Sequence, residues 1–391
     1  MPFYDTPDQP TTGLARYRIL SKHASVHVSP LCLGAMSIGN AWGAQLGAMT
    51  KESSITLLDA FFNAGGNFVD TANNYHEGDS ERILGVDGRA RHQGPDSAGY
   101  QDLECLQYTN NYHLANPDIK HKINYQGNSA KSMRLSLEQS LKNLRTNYID
   151  LFYVHMWDYE TSIEEVMDNL HNLVVAGKVI YLGVSDTPAW VVAQANQYAR
   201  SHGKTVFSVY QGGWNVMDRA FEREIIPMAR EWGMALAPWG VLAGGKLRSD
   251  EEEERREKSG EKGRDFGFDK SGWKRSEQAR DMSRALEKIA KEVGVKNLTA
   301  VAIAYVMHKA PYVFPIIGGR KVEQLQDNIE ALKVRLTTDQ IKTLEGIIPF
   351  KHGFPYTIIN DGSQPPFPLA SAAVTERIPF PSPILPEGNF A

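Results

Sequence analysis

Asp70 and Tyr75 stand five positions apart in the stretch Gly65-Gly-Asn-Phe-Val-Asp-Thr-Ala-Asn-Asn-Tyr75. Residues 68–70 read as the end of a short buried strand, and residues 71–74 as a polar loop that delivers Tyr75. A phenol acts as a general acid when its proton acceptor is in reach and a neighbouring charge network tunes it. A carboxylate at a strand end with a phenol on the next loop has that layout. Alone, the pair is ordinary turn chemistry, so its meaning depends on the elements that position it.

Those elements alternate. Residues 17–20 and 24–29 read as a β-hairpin, and the apolar run Leu31-Cys-Leu-Gly-Ala-Met-Ser-Ile-Gly39 as a buried parallel strand opening onto a loop. A helix follows over 52–63, capped by Thr50, with Ile55, Leu58 and Phe62 on one face. Strands are then expected at 67–70, 149–155, 178–185, 206–209, 234–239 and 312–317. Helices are expected at 131–144, 162–175, from Pro188, and at 219–232, 276–293, 299–309 and 322–332. Thr337-x-x-Gln340 is a capping box for a last helix. About eight strand–helix units imply a (β/α)8 TIM barrel with an N-terminal β-hairpin and a C-terminal extended tail. The organisation expected is an arm and hairpin over 1–28, the barrel over 29–350 and a Pro-rich tail over 351–391. Residues 1–15 read as a loose arm, and the charged run from Asp250 to Lys258 as a solvated excursion. The third-strand region, about 86–107, is atypical: residues 86–102 have neither helical nor strand period, and 103–107 is a poor strand.

At 391 residues, 42% apolar and 23% charged, the chain has an ordinary globular composition and can bury a sizeable core. A net charge of −4 gives no reason to expect nucleic acid or an anionic membrane as partner. Two cysteines, Cys32 and Cys105, are too few for a disulfide framework or a cysteine metal site, and fit a reducing compartment. With no apolar run of about 18 residues and no leader-like N-terminus, a cytoplasmic protein is expected.

In such a barrel, chemistry sits at the carboxyl ends of the strands. Those positions hold Asp70 with Tyr75, Gln107, His155, Ser185-Asp186, Gln211, Trp239 and Gly318-Gly-Arg320. Singly, each has a bland reading: His155 as a satisfied core histidine, Trp239 as packing, Gln211 as a loop amide, Gly-Gly-Arg as a turn with a surface charge. No His/Asp/Glu set has metal-ligand spacing, and no G-x-G-x-x-G follows a strand, so neither a metal site nor a Rossmann dehydrogenase is expected.

Taken in order, these residues and their surroundings resemble the aldo-keto reductases, in particular the fungal aryl-alcohol dehydrogenase and norsolorinic acid reductase branch. The resemblance rests on Gly65–Tyr75, Asn124-Tyr-Gln-Gly-Asn128, Tyr148-Ile-Asp-Leu-Phe-Tyr-Val-His-Met-Trp157, Tyr210-Gln-Gly-Gly-Trp-Asn215 and residues 234–239 and 314–332. Gly183-Val-Ser-Asp-Thr-Pro-Ala-Trp190 is specific to that branch. The resemblance implies a reductase of ketones or aldehydes that takes hydride from NADPH through an Asp/Tyr/Lys/His tetrad. Tyr75 would be the proton donor, Asp70 its charge-network partner, and His155 the residue that orients the carbonyl. Ser185, Asp186 and Gln211 would hold the nicotinamide carboxamide, and Trp239 would stack on its ring. Arg320, with Gly318, Gln324 and Asn328, would cradle the adenosine 2′-phosphate, which suits bidentate arginine contact.

The resemblance breaks between 86 and 107 and places Gln107 where the tetrad has lysine. An amide cannot supply the positive charge that depresses a tyrosine pKa. At an effective dielectric of about 20, a unit charge about 4 Å away is worth roughly 4 kcal/mol. Two readings stay open: residues 86–106 are an off-frame or mis-spliced stretch of the gene, or the protein is a cofactor-binding relative with impaired catalysis.

Overall fold

The computed structural model describes residues 8–47, 49–92, 103–109, 119–260 and 272–386. The chain opens with the expected antiparallel hairpin of β1 (Arg18–Ser21) and β2 (Ala24–Val28). Strand–helix alternation follows: β3 (Cys32–Gly34), the short α1 (Gly43–Leu46), α2 (Lys51–Asn63), β4 (Phe68–Ala72), α3 (Asp79–His92), β5 (Leu103–Thr109), α4 (Ala130–Leu144), β6 (Ile149–His155), α5 (Ile163–Val175), β7 (Val179–Ser185), α6 (Ala189–Ser201), β8 (Phe207–Gly213), α7 (Phe221–Trp232) and β9 (Ala235–Trp239). After β9 come α8 (Asp250–Ser259), α9 (Glu277–Val293), α10 (Leu298–Met307), β10 (Ile316–Ile317), α11 (Val322–Ile329), α12 (Thr338–Ile347) and, in the tail, α13 (Tyr356–Ile359) and α14 (Phe367–Ala372).

One parallel sheet of eight strands runs in the order β10-β3-β4-β5-β6-β7-β8-β9. The α/β architecture expected from the alternation is therefore present. The two ends of the sheet approach each other. Leu236 of β9 donates its N–H to Tyr312 O at 2.9 Å and accepts from Phe314 N–H at 2.8 Å, and that segment runs on into β10, which pairs with β3. Strands β4 and β8 lie four places apart, about 19 Å in a flat sheet. Yet the side chains of Asp70 and Gln211 on those strands meet at 2.9 Å. The sheet is strongly curled, with one set of side chains facing inward.

The inward set is Cys32, Phe68, Leu151, Tyr153, Val209, Ala235, Ala237 and Phe314, and the hairpin residues Leu20, Ala24 and Val28 pack against it. The hairpin thus covers one end of the inner core and leaves the carboxyl ends of the strands for function. The outer faces of the strands pack on the helices in a second, larger apolar cluster. Thr50, Ser129, Ser162, Ser249 and Ser276 each accept the backbone N–H three residues on, which fixes where the helices begin. The capping box of Thr337 and Gln340 forms as its spacing requires.

Several expectations are corrected. β4 runs two residues past Asp70, so Thr71 and Ala72 are strand and the aspartate lies inside it. α2 turns Ser54, Leu57, Leu58 and Phe61 to the core, not the face through Ile55 and Phe62. Residues 79–92 are helix despite the weak period, because Gly85 lets α3 lie on α4: a Cβ there would come within 2.5 Å of Asn143 O. A third strand does form at Leu103–Thr109, two residues beyond the expected end at Gln107. The stretch between α3 and β5 lies outside the described residues. The charged run from Asp250 is a helix, and Glu253 within it is buried, bonded to Arg275. Of the expected loose arm, residues 1–7 lie outside the described residues, while Leu14 is fully buried and Thr12 Oγ donates to Ala64 O. The tail lies on α7, where Arg223 donates to His352 O at 2.8 Å and Tyr356 OH to Glu224 at 2.8 Å.

Candidate active site

His155 is the last residue of β6 and pairs in register with Ser185, the last residue of β7. The chain turns into a left-handed conformation just beyond each: Met156 at φ 61° and Asp186 at φ 48°. Those strained turns are tied together, since Met156 N–H donates to Ser185 O and Asp186 N–H to Gln211 O. His155 Nε2 lies 3.1 Å from Asp186 Oδ2, and Trp239 Nε1–H donates to Asp186 Oδ1 at 3.2 Å. A carboxylate only accepts, so His155 Nε2 carries a proton in this pair. Ser185 is fully buried and its Oγ has no hydrogen-bond partner. A buried hydroxyl without a partner is costly.

Asp70, on the inner face of β4, is 3% exposed and accepts from the Gln211 amide, itself 1% exposed, at 2.9 Å. Two of the predicted site residues on opposite sides of the curled sheet are thereby joined. Gln107 lies in register with Ala72 on one side and Tyr153 on the other. Tyr153 belongs to the inner core.

Tyr75 opens a short 3-10 turn, Tyr75–Gly78, and is half-buried. The residue after the tyrosine anchors that turn. His76 is fully buried at φ 49°; its Nδ1 accepts from Trp42 N–H at 3.0 Å, which leaves Nε2–H to donate to Met36 O at 3.1 Å. Burial pushes the His76 pKa below its ordinary value, so the ring stays neutral in that double role. Trp42 stacks on His76 at 5.3 Å and meets Tyr75 edge-on at 6.2 Å. Ser80 Oγ donates to Ala35 O and accepts from Thr71, which fixes the start of α3 to β3 and β4.

Farther along the rim, Trp239 is 44% exposed at the end of β9, its ring against Gly213, where a Cβ would come within 3.1 Å. Gly318 follows β10, and Arg320 N–H donates to Gln324 Oε1 at 2.9 Å. The exposed Arg320 guanidinium lies directly on Gly47, where any side chain would collide with it. Asn328, one turn beyond Gln324, is buried. The loop after β5 is clipped to the loop after β6: Asn128 N–H donates to Asp158 Oδ2 at 2.6 Å, and Asp158 N–H donates back to Asn128 Oδ1 at 2.8 Å. Burial alone would raise the Asp158 pKa, but the N–H groups of Asn128, Thr161 and Glu160 outweigh it and hold it low. A cavity of about 360 Å³ lies apart from Tyr75 and His155, between Met217, Arg219 and Arg223 on one side and Phe350 and Lys351 on the other.

The structure thus joins His155, Asp186 and Trp239 into one set and Asp70 with Gln211 into another. Sequence reasoning missed Trp42 and His76, which fix the Tyr75 turn. The one signal for them was aromatic side chains in the glycine-flanked loop after β3 and beside the tyrosine itself. Among the described residues no three His, Cys, Asp or Glu side chains cluster as metal ligands, and no helix is long and apolar enough to cross a membrane.

Comparison with known proteins gives the family. The sequence pattern of the Aldo/keto reductase family matches residues 30–349. The chain is 54% identical over 362 residues to an aryl-alcohol dehydrogenase [NADP(+)] of Phanerodontia chrysosporium, covering 91% of this chain and 92% of that one. It is 49% identical to norsolorinic acid reductase of Aspergillus flavus, covering 90% and 86%. With norsolorinic acid reductase stcV of Emericella nidulans the identity is 45%, over 98% of this chain and 97% of the other. The chain belongs to the aldo/keto reductase family. It is an oxidoreductase whose relatives include fungal aryl-alcohol dehydrogenases and norsolorinic acid reductases.

Proposed function

We propose that this protein reduces a ketone or aldehyde, aryl or polycyclic in character, to an alcohol with NADPH, as a step in fungal secondary-metabolite biosynthesis. The observation that carries the reading is the buried, unpartnered Ser185 hydroxyl, next to Asp186 and in register with Gln211 and His155 at adjacent strand ends. The donors and acceptors of Ser185, Asp186 and Gln211 suit a carboxamide, and the Trp239 ring beside them suits a flat heterocycle. Arg320, held over Gly47 and exposed, suits a phosphate dianion. When bound, the nicotinamide supplies hydride. Tyr75 gives its phenolic proton to the oxygen that hydride arrival leaves negative, and His155 orients that oxygen and passes a proton back to the phenol. We read the sheet as a closed (β/α)8 barrel over 29–350, supported by the Leu236 bonds to 312–314 and the Asp70–Gln211 contact across the interior.

The alternative is an NADPH-binding relative with impaired catalysis. It is favoured by the amide residue Gln107, which stands on β5 in register with Ala72 and Tyr153. One experiment separates the two. Purified protein is incubated with NADPH and a panel of aryl and polycyclic carbonyls, and nicotinamide oxidation is followed. Turnover that falls by about 10²-fold or more in Tyr75→Phe, with NADPH binding retained, supports the reductase. NADPH binding without turnover on any carbonyl supports the alternative.

A further inference from the structure

We propose that Gly47 is a specificity-determining residue of the cofactor site: its bare backbone forms a notch that seats the Arg320 guanidinium for the 2′-phosphate, and so favours NADPH over NADH. This rests on the reading of Arg320 given above. Adjacent strands bring the two residues together. β10 pairs in parallel with β3, Ile316 with Cys32 and Ile317 with Leu33, so the loops that leave their carboxyl ends run side by side. Arg320 lies in the loop after β10, and Gly47 in the loop after β3.

The guanidinium fills the space that a side chain at 47 would need. Nη1 collides with a Cβ placed there, and Cζ and Nε would come within 2.5 and 3.3 Å of it. Gly47 is also held at φ 79°, a conformation that strains any residue with a Cβ. The notch stands on a fixed loop. Gly47 N–H donates to Gly43 O at 2.9 Å, Leu46 N–H to Trp42 O at 3.0 Å and Met49 N–H to Gly39 O at 3.2 Å, while Leu46 and Met49 are buried. Trp42, in the same loop, reaches the Tyr75 turn. From the other side, the backbone of Arg320 is tied to Gln324 Oε1. An arginine loses rotamer freedom when a ligand fixes it. Seating one end of the guanidinium on Gly47 meets part of that cost before the ligand arrives. With five N–H donors, the exposed group still has others to offer phosphate oxygens. NADH carries a hydroxyl at that place and gains little from the charge.

The test uses the full chain, Gly47→Ala, Arg320→Ala and the double variant, titrated calorimetrically with NADPH and with NADH and no carbonyl. Gly47→Ala should weaken NADPH binding by about tenfold or more and NADH binding by less than about threefold, on the scale of a hydrogen bond to a charged group. In the Arg320→Ala background the same substitution should change the NADPH Kd by less than about threefold, since the collision with the guanidinium is gone. Equal losses for the two nucleotides, or a full Gly47→Ala effect on NADPH without Arg320, would show a deformed loop only and overturn the proposal. A second readout needs no variant at 47. At saturation, NADPH should slow hydrogen exchange at the amides of Leu46 and Gly47 more than NADH does, and Arg320→Ala should abolish the difference. Equal protection by the two nucleotides overturns the proposal as well. If Arg320→Ala leaves the preference for NADPH unchanged, the phosphate reading of Arg320 falls and the notch with it. If Arg320→Ala removes the preference and Gly47→Ala keeps it, the notch alone falls.

Discussion

The carboxylate of Asp70 accepts a 2.9 Å hydrogen bond from the amide of Gln211, 141 residues away on a strand four places across the sheet. Both groups are buried, so the bond forms in a low-dielectric interior where a lost partner or an added charge is felt strongly. Gln211→Glu sets two carboxylates against each other there. Its stability at neutral pH should fall by about 2–4 kcal/mol in urea unfolding, with part of the loss recovered under acid conditions as one carboxyl takes a proton. An unchanged unfolding midpoint would mean that the bond contributes nothing to the curled sheet.

Gln107 stands on β5 in register with Ala72 of β4 and Tyr153 of β6. If this is the lysine position of the family tetrad, a lysine there supplies the positive charge that lowers a tyrosine pKa. Gln107→Lys should raise kcat for aryl aldehydes by about tenfold or more, on the scale of a unit charge worth roughly 4 kcal/mol at 4 Å. Nicotinamide oxidation under saturating NADPH measures it, and a slower enzyme would remove position 107 from the tetrad.

Glu81 is fully buried on α3, where it accepts from Asn143 Nδ2 at 2.7 Å and has Ser140 as a second hydrogen-bonding neighbour. Burial pushes its pKa up from 4.5 to about 7. Because the folded value exceeds the unfolded one, this carboxyl favours the fold fully below pH 4.5, and that contribution is lost as pH rises through about 7. Glu81→Gln keeps the acceptor and removes the titration. Its unfolding free energy should exceed the wild type's by up to about 3 kcal/mol at alkaline pH and converge with it toward pH 4.5. Parallel pH profiles for the two proteins would contradict this.

Glu253 anchors α8 to the start of α9: Arg275 Nε donates to it at 2.6 Å, and Arg248 lies 3.4 Å away. Burial acts to raise its pKa, but the Arg275 hydrogen bonds and the charges of Arg275 and Arg248 outweigh it and hold the value at about 2. The depressed value means stability present above pH 4.5 and lost as pH falls through about 2. Glu253→Gln leaves two buried guanidinium groups short of a counter-charge and should cost about 3–5 kcal/mol at neutral pH. Limited proteolysis between residues 249 and 276 should then quicken, and a rate equal to the wild type's would refute the anchoring role.

Much of the order of elements was legible because it is local. Apolar periodicity set α4 with Met133, Leu137, Leu141 and Leu144 inward, and Thr or Ser caps set the helix starts. His155, Ser185 and Trp239, the last residues of β6, β7 and β9, were legible for the same reason, whereas Asp70 and Gln211 lie two residues inside β4 and β8. Where period was weak, the sequence misjudged. α3 continues to residue 92 because Gly85 lets it pack on α4, and Glu253 is buried because arginines 22 residues and five residues away reach it. Neither partner is visible from composition around the residue itself.

The sequence by itself determined which residues stand at or within two positions of the strand ends and that an amide, not an ammonium group, occupies position 107. Only the tertiary structure decided how they pair: Asp186 with His155 and Trp239, and Asp70 with Gln211 across the interior. Strand-end position is fixed by local hydrophobic pattern, whereas these bonds depend on register and on the curl of the whole sheet, which no local stretch encodes.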